Sequence, residues 1–240
     1  MSLRWKLAAV CLLPLLLLTV AAAALADDHP RIDPAQGWQS LFNGKDLSGW
    51  VQRDVTAWKP RPGTWAVEDG VITRKGSGYL VSEKTYGDFI LDLEFKVAEK
   101  TNSGVFLRHP AKPGVKPYWR DGALEIQILN SWKVDKPTMH DCGSLYDMQG
   151  PAKNTMKKPG QWNRMTMTAQ GSRIEVVLNG AKILAADLDR WTEAGKNPDG
   201  TPCKYAKPMK DMPRTGYIML QDHGTPVWFR NIFVKELTKN

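Results

Sequence analysis

Cysteine and histidine are scarce in this sequence. Its 240 residues contain three cysteines and four histidines, and none of them has the Cys-x-x-Cys or paired Cys/His spacing of a zinc finger. Three of the histidines could come together in the folded protein, but their spacing in the sequence matches no metal-ligand motif. They are His109, His140 and His223. No metal or other cofactor is therefore indicated, although a catalytic metal stays open as an alternative.

The chain also lacks a basic helix and any stripe of interleaved basic and aromatic residues. Its formal net charge is +8, but the lysines are scattered or lie in loops, as Lys153, Lys157, Lys204 and Lys207 do. We therefore expect a solvated basic surface and no nucleic-acid partner. There is no internal repeat and no low-complexity linker, which indicates one domain after the N-terminal segment.

Long apolar runs are absent except at the N-terminus. Arg4 and Lys6 precede an apolar run over Leu7–Val20, and Ala24-Leu25-Ala26 fits the small-x-small pattern of a cleavage site. This predicts a signal peptide over residues 1–26, a domain over residues 27–240, and export to the periplasm or the extracellular space without a stable membrane anchor. An uncleaved anchor is the alternative, because the run is nearly long enough to span a bilayer. The oligomeric state stays open.

Removal of this segment leaves two cysteines. In an exported chain a pair is readily oxidised, so we predict a disulfide between Cys142 and Cys203. Two free, partly buried thiols are the alternative.

Short strands with glycine-rich turns account for most of the remaining chain. Residues 89–99 alternate almost strictly between apolar and polar side chains, and Asp69-Gly70, Gln170-Gly171 and Asn179-Gly180 are typical of tight turns. About a dozen strands in one domain predict a β-sandwich, with an all-β barrel as the alternative.

The stretch from Asn102 to Ser131 carries polar groups at alternate strand positions. On a strand, Phe106 and Arg108 share one face, and so do Glu125 and Gln127 on the next run. The positions between the latter are apolar: Leu124, Ile126 and Ile128. This pattern predicts the lining of a polar cleft, with a salt-bridged sheet surface, in which Glu125 pairs with Arg108, as the alternative.

Two further segments offer polar side chains to such a cleft. The irregular region 132–159 carries His140 and Tyr146, and its length is typical of a binding or lid loop. Gln221 and His223 share a face by strand parity, and Asp222 lies between them. An imidazole can serve as an acid or a base near neutral pH, and His223 offers one.

The motifs GWQSLFNGKDLSGW, NSGVFLR, LEIQILNS, GSLYD and LQDHGTPVWFRNIFVKEL together resemble the 3-keto-disaccharide hydrolase family, in order and over about residues 37–237. The resemblance implies a concanavalin A-like jelly-roll β-sandwich. It also implies an enzyme that acts on glycosides whose sugar C3 hydroxyl is already a ketone. Together with the predicted signal peptide, this gives an exported carbohydrate-active enzyme as the expected function. The similar strand of laminarinase-type jelly-roll glycosidases carries Glu-x-Asp-x-x-Glu, whereas this chain has Glu125-x-Gln127-x-x-Asn130.

A C3 ketone acidifies the proton on C2, so cleavage requires a base, a partner for the enolate and an acid for the leaving oxygen. The expected catalytic residues are Glu125 as base, Arg108 at the enolate and His223 as acid or base. Substrate-binding residues are expected among Asn102, Gln127, Tyr146, Gln221 and Asp222. A non-catalytic, lectin-like carbohydrate-binding module is the alternative function.

Overall fold

The computed structural model of the chain describes residues 33–54, 56–110 and 123–238. The signal peptide predicted over residues 1–26 and residues 111–122 lie outside these ranges. Thirteen antiparallel strands fill the described chain, so the predicted all-β fold is confirmed. None of the described helices is long and apolar enough to cross a membrane.

The strands are β1 (Trp38–Ser40), β2 (Trp50–Arg53), β3 (Trp65–Glu68), β4 (Val71–Arg74), β5 (Tyr79–Tyr86), β6 (Phe89–Val97), β7 (Asn102–His109), β8 (Leu124–Leu129), β9 (Trp162–Gln170), β10 (Arg173–Leu178), β11 (Ala181–Asp187), β12 (Gly216–Leu220) and β13 (Val227–Glu236). Three-residue 3-10 helices lie at Pro34–Gln36, Leu188–Arg190 and Met209–Asp211.

Two sheets make the sandwich. The eight-stranded sheet has the order β11-β10-β9-β6-β13-β4-β3, with β1 also paired to β13, and the five-stranded sheet has the order β2-β5-β12-β7-β8. The crossovers between non-consecutive strands give a jelly-roll arrangement, in agreement with the predicted fold class.

Alternation along β6 explains the position of the core. Phe89, Leu91, Leu93, Phe95 and Val97 are fully buried in the main apolar cluster between the sheets. Each apolar side chain that leaves water contributes about 25 cal/mol per Å² of buried surface. The polar side chains between them point to the other face of the sheet, as the period of a strand requires.

The five-stranded sheet has the same two-faced character. Val105 and Leu107 of β7, and Leu124, Ile126 and Ile128 of β8, belong to the main core. The residues between them therefore face away from the core, and this outer face of the five-stranded sheet carries the candidate site.

Candidate functional site

Glu125 is the centre of a polar cluster on the outer face of the five-stranded sheet. Its side chain is nearly fully buried. Oε1 accepts a hydrogen bond from Nε2 of Gln221 at 2.9 Å, and Oε2 lies 2.9 Å from Nζ of Lys204. Both carboxylate oxygens thus have a donor, and one of these donors is a cation.

Gly104 leaves the space that the Glu125 side chain fills. A Cβ atom built on Gly104 would lie 3.0 Å from Oε1 and 3.2 Å from Cγ of Glu125. Any larger residue at position 104 would therefore displace the carboxylate. This close approach was not recognised from the sequence, in which Gly104 is only one glycine within a strand.

A segment of the irregular region 132–159 lies along the free edge of β8. Gly143 N donates to the Gln127 carbonyl, Gln127 N to the Ser144 carbonyl, and Tyr146 N to the Glu125 carbonyl. These backbone bonds fix Tyr146 beside Glu125, so the expectation that this region contributes to the site is consistent with the structure.

A second loop delivers Lys204. Its backbone N–H donates to the carboxylate of Asp147, and the neighbouring Tyr205 hydroxyl donates to the Ala123 carbonyl at 3.1 Å. Nζ of Lys204 then lies 4.3 Å from the ring centroid of Tyr146, within cation–π distance. Lys204 was not predicted as a site residue, because its position in a loop suggested the solvated surface.

The hydroxyl groups of both tyrosines keep their protons at neutral pH. Burial, together with the negative charges of Glu125 and Asp147, raises the pKa of Tyr146. Burial, with the same two carboxylates, raises the pKa of Tyr205 well above its usual value. The Tyr205 hydroxyl already donates its hydrogen bond to the Ala123 carbonyl, whereas the Tyr146 hydroxyl can act as a donor.

A cavity beside this loop is separate from the polar cluster around Glu125. It has a volume of about 370 Å³ and is lined by Arg190, Thr192, Glu193, Lys196, Asn197, Pro198, Asp199 and Gly200. Asn197 accepts from Trp191 Nε1 and donates to the Asp147 carbonyl. The cavity therefore belongs to the scaffold that holds Lys204, and the chemistry-bearing residues lie outside it.

The prediction that Arg108 shares the polar face with Glu125 is wrong, and the alternative of an ion pair between them is wrong as well. Arg108 is fully buried, and its guanidinium contacts Asp88 and the carbonyls of Gly87 and Gly171, each at 2.7 Å. A β-bulge causes this: Leu107 and Arg108 together lie opposite Ile218 alone, and Arg108 has a φ of 54°. The bulge reverses the parity of the strand, so Arg108 leaves the site face.

His109 takes the side of the strand that parity had assigned to Arg108. Its ring is stacked on Trp58 at 5.5 Å and meets the edge of Phe106 at 6.0 Å. Burial lowers the pKa of His109 to about 4, so this ring is neutral at pH 7.

The turn after β12 places Gln221, Asp222 and His223 in different environments, although they were expected to act together. Gln221 is buried against Glu125, whereas His223 is exposed because the strand ends at Leu220 and parity no longer applies. The carboxylate of Asp222 binds Arg74 and the backbone N–H groups of Gly78 and Gly224. Asp222 thus anchors the turn, which corrects its expected role in substrate binding.

The other expected polar residues have distinct positions. Gln127 is buried on the face of Glu125, as parity predicted, and its Nε2 lies 3.3 Å from Oδ1 of Asn102. Asn130 donates to the Glu99 carbonyl at 2.9 Å. His140 contacts the Asp147 carboxylate at 3.1 Å and the Tyr146 ring at 5.0 Å. Across the described ranges, no group of three His, Cys, Asp or Glu side chains is arranged to hold a metal ion.

The predicted disulfide is absent, since Cys142 and Cys203 are both free thiols. Cys142 packs into the main core, whereas Cys203 lies half-buried at its margin on the loop that carries Lys204. Burial raises the pKa of Cys142 to about 12 and makes this thiol unreactive at neutral pH.

Comparison with known proteins supports the fold and identifies the family of this chain. Residues 37–235 match the 3-keto-alpha-glucoside-1,2-lyase-like domain family. The chain is 28% identical to a protein of Bacteroides thetaiotaomicron named 3-keto-disaccharide hydrolase, over 85% of this chain and 79% of that one.

Solved structures give the same picture. A protein of Parabacteroides distasonis described as a candidate glycosyl hydrolase is 34% identical and superposes with a TM-score of 0.71, over 83% of this chain and 99% of that one. The laminarinase of Rhodothermus marinus, at 11% identity, has a TM-score of 0.51 over 84% of this chain and 96% of its own, and shares only the fold. From the match over residues 37–235, the chain belongs to the 3-keto-alpha-glucoside-1,2-lyase-like domain family.

Proposed function

We propose that this protein cleaves glycosides whose sugar carries a ketone at C3, by removal of the C2 proton and elimination of the substituent at C1. Family membership and the named relative support the substrate class. The observation that carries the proposal is the contact between Glu125 and Lys204, which puts a buried carboxylate and an ammonium within 2.9 Å of each other.

Glu125 is the proposed base. Its carboxylate takes the proton from C2, and the electron pair of the broken C–H bond moves toward C3 to give an enolate. The enolate then re-forms the ketone as the C1–O bond breaks, which leaves a double bond between C1 and C2. Addition of water to C1 completes a net hydrolysis.

Lys204 is the proposed partner of the enolate oxygen. An ammonium placed where negative charge develops stabilises the transition state more than the ground state. Removal of one such donor typically costs about 10²–10³-fold in rate. Lys204 thus replaces Arg108 in this role, because the guanidinium of Arg108 is committed to Asp88 and two carbonyls on another side of the strand.

The leaving oxygen needs a proton, and Tyr146 is better placed than His223 to supply it. The Tyr146 ring lies against the ammonium that contacts Glu125, and its raised pKa keeps the hydroxyl protonated. His223 is on an exposed turn. We therefore assign the acid role to Tyr146, while His223 stays a prediction of the sequence without a contact that supports it.

The cluster does not resemble an ordinary glycosidase site. That chemistry uses two carboxyl groups on either side of the scissile bond. The two following positions of the strand motif are amides, Gln127 and Asn130, and the nearby Asp147 is bound to Lys204 N and His140.

The test compares methyl 3-keto-α-glucoside with its unoxidised parent, with product analysis for the wild type, Glu125→Gln and the exposed control Glu83→Gln. We expect the wild type and the control to cleave only the keto compound. Glu125→Gln should lose about 10²–10⁴-fold, since an amide cannot accept the proton. Cleavage of the parent at a comparable rate would contradict the proposal. Binding of the keto compound without cleavage would indicate a binding module instead.

A further inference from the structure

Two buried amide oxygens on the site face lack a hydrogen-bond donor. In the described part of the chain, Oε1 of Gln127 and Oε1 of Gln221 are inaccessible to water and accept no hydrogen bond. The two residues are 3% and 5% exposed. A buried acceptor without a partner costs about 1–3 kcal/mol, so two of them on one face of one sheet are a costly arrangement for the protein alone.

The register of the sheet places both amides around the Glu125 carboxylate. Gln127 lies opposite Gly104 on the neighbouring strand, and Gln221 N donates to the Gly104 carbonyl from the other side. A Cβ atom built on Gly104 would lie 3.4 Å from Oε1 of Gln221 and 3.0 Å from Oε1 of Glu125. The two amides thus flank the glycine over which the proposed base lies.

The donor and acceptor groups of this face are complementary to an oxidised sugar ring. A ketone oxygen can only accept hydrogen bonds, and Lys204 offers a cationic donor beside Glu125. A ring hydroxyl can donate, and the two unpaired amide oxygens, Oε1 of Gln127 and Oε1 of Gln221, can accept. The chemistry therefore directs the ketone to Lys204 and the hydroxyls to the amides.

We infer that the Gln127 and Gln221 side chains turn from their buried positions toward the 3-keto-glucoside, that two ring hydroxyls then donate hydrogen bonds to Oε1 of Gln127 and Oε1 of Gln221, and that these contacts orient the sugar with its C3 carbonyl toward Lys204. The inference rests on the proposed function and adds the residues that determine which sugar is accepted. Gln127 and Gln221 are then specificity-determining residues. The free energy that the unliganded protein loses by burying two unpaired acceptors is recovered when the sugar binds.

Gln127 gives the cleaner test, because Gln221 also donates to Glu125. Gln127→Met keeps the length of the side chain and removes the acceptor, and Gln170→Met is the matched control at an exposed position of the other sheet. The substrates are methyl 3-keto-α-glucoside and its 2-deoxy, 4-deoxy and 6-deoxy analogues. The readouts are kcat/KM and the thermal midpoint Tm.

We expect Gln127→Met to lower kcat/KM on the full substrate roughly tenfold, the loss typical of one hydrogen bond, while Tm stays the same or rises. One deoxy analogue should show a similar loss with the wild type and no further loss with Gln127→Met. Such non-additivity is the signature of a direct contact. Gln170→Met should behave as the wild type does with every substrate.

Equal and additive losses on all analogues, or a lowered Tm with unchanged kcat/KM, would overturn the inference and leave the proposed reaction standing. If the wild type binds the keto-glucoside without cleaving it, the same cycle is measured by calorimetry, and coupling there would support the inference while the reaction fails. A wild type that neither binds nor cleaves any of the four compounds would overturn both.

Discussion

The ammonium of Lys204 lies 2.9 Å from Oε2 of Glu125, although 79 residues separate the two in sequence. Glu125 is positioned by its place in strand β8. Lys204 is positioned by the hydrogen bond that its backbone N–H donates to Asp147. The pair is therefore a product of the tertiary fold.

Replacement of Lys204 should lower the rate of catalysis. Lys204→Met should lower kcat about 10²–10³-fold on a 3-keto-glucoside, because the enolate oxygen loses its cationic partner. Lys207→Met, at an exposed position of the same loop, should retain full activity. Steady-state kinetics of both variants decide the point, and equal activity of the two would remove Lys204 from the mechanism.

Gly104→Ala should disturb the carboxylate that lies above it. The new methyl group would lie 3.0 Å from Oε1 of Glu125, and a displaced base costs up to about 10²-fold in rate. Gly76→Ala is the control, since a Cβ there has its nearest neighbour at 3.6 Å. Kinetics and thermal unfolding should show a loss of activity at position 104 with a small change in Tm. An active Gly104→Ala protein would mean that Glu125 tolerates displacement.

Arg108 should prove structural. Arg108→Lys cannot span Asp88 and the two carbonyls together, and we expect a loss of roughly 3 kcal/mol in the free energy of unfolding. The folded fraction should keep kcat/KM within about threefold. Denaturant unfolding and kinetics test both parts, with exposed Arg173→Lys as control. Full stability combined with a hundredfold loss of activity would restore Arg108 as the partner of the enolate.

His109 should make the protein less stable in acid. Burial lowers its pKa to about 4 from the ordinary value near 6.5, so between these values the unfolded chain binds a proton that the folded chain does not. Stability is therefore lost as the pH falls from about 6.5 to 4, by up to about 1.4 kcal/mol per pH unit. His109→Phe should flatten this part of the profile, measured by denaturant unfolding, whereas exposed His223→Asn should leave it unchanged. Parallel profiles for all three proteins would contradict the assignment.

The fold and part of the site follow from local rules that the sequence displays. The alternation of Phe89–Val97 and the Asp69-Gly70 turn both predicted the observed strands. Parity on β8 correctly placed Glu125 and Gln127 on one face, because that strand is regular. These features depend on residues a few positions apart, which explains why they could be predicted.

The errors arise where one residue or a distant loop changes the geometry. Arg108 has a left-handed backbone conformation and forms a bulge that reverses the side-chain parity of β7. The sequence NSGVFLRHP contains no feature that predicts this bulge. Lys204 sits in an irregular loop whose path depends on contacts of Asp147, Asn197 and Tyr205. The two cysteines that follow the predicted signal peptide suggested a disulfide, but both thiols are free and Cys142 packs into the main core.

The central claim is that Glu125 removes the proton on C2 of a 3-keto-glucoside. The most direct measurement incubates the substrate with enzyme in heavy water and follows deuterium at C2 of recovered substrate and product by NMR or mass spectrometry. We expect deuterium at C2 with the wild type and with Glu83→Gln, and a loss of about 10²-fold or more in labelling rate with Glu125→Gln. Cleavage without label at C2, or undiminished labelling by Glu125→Gln, would contradict it.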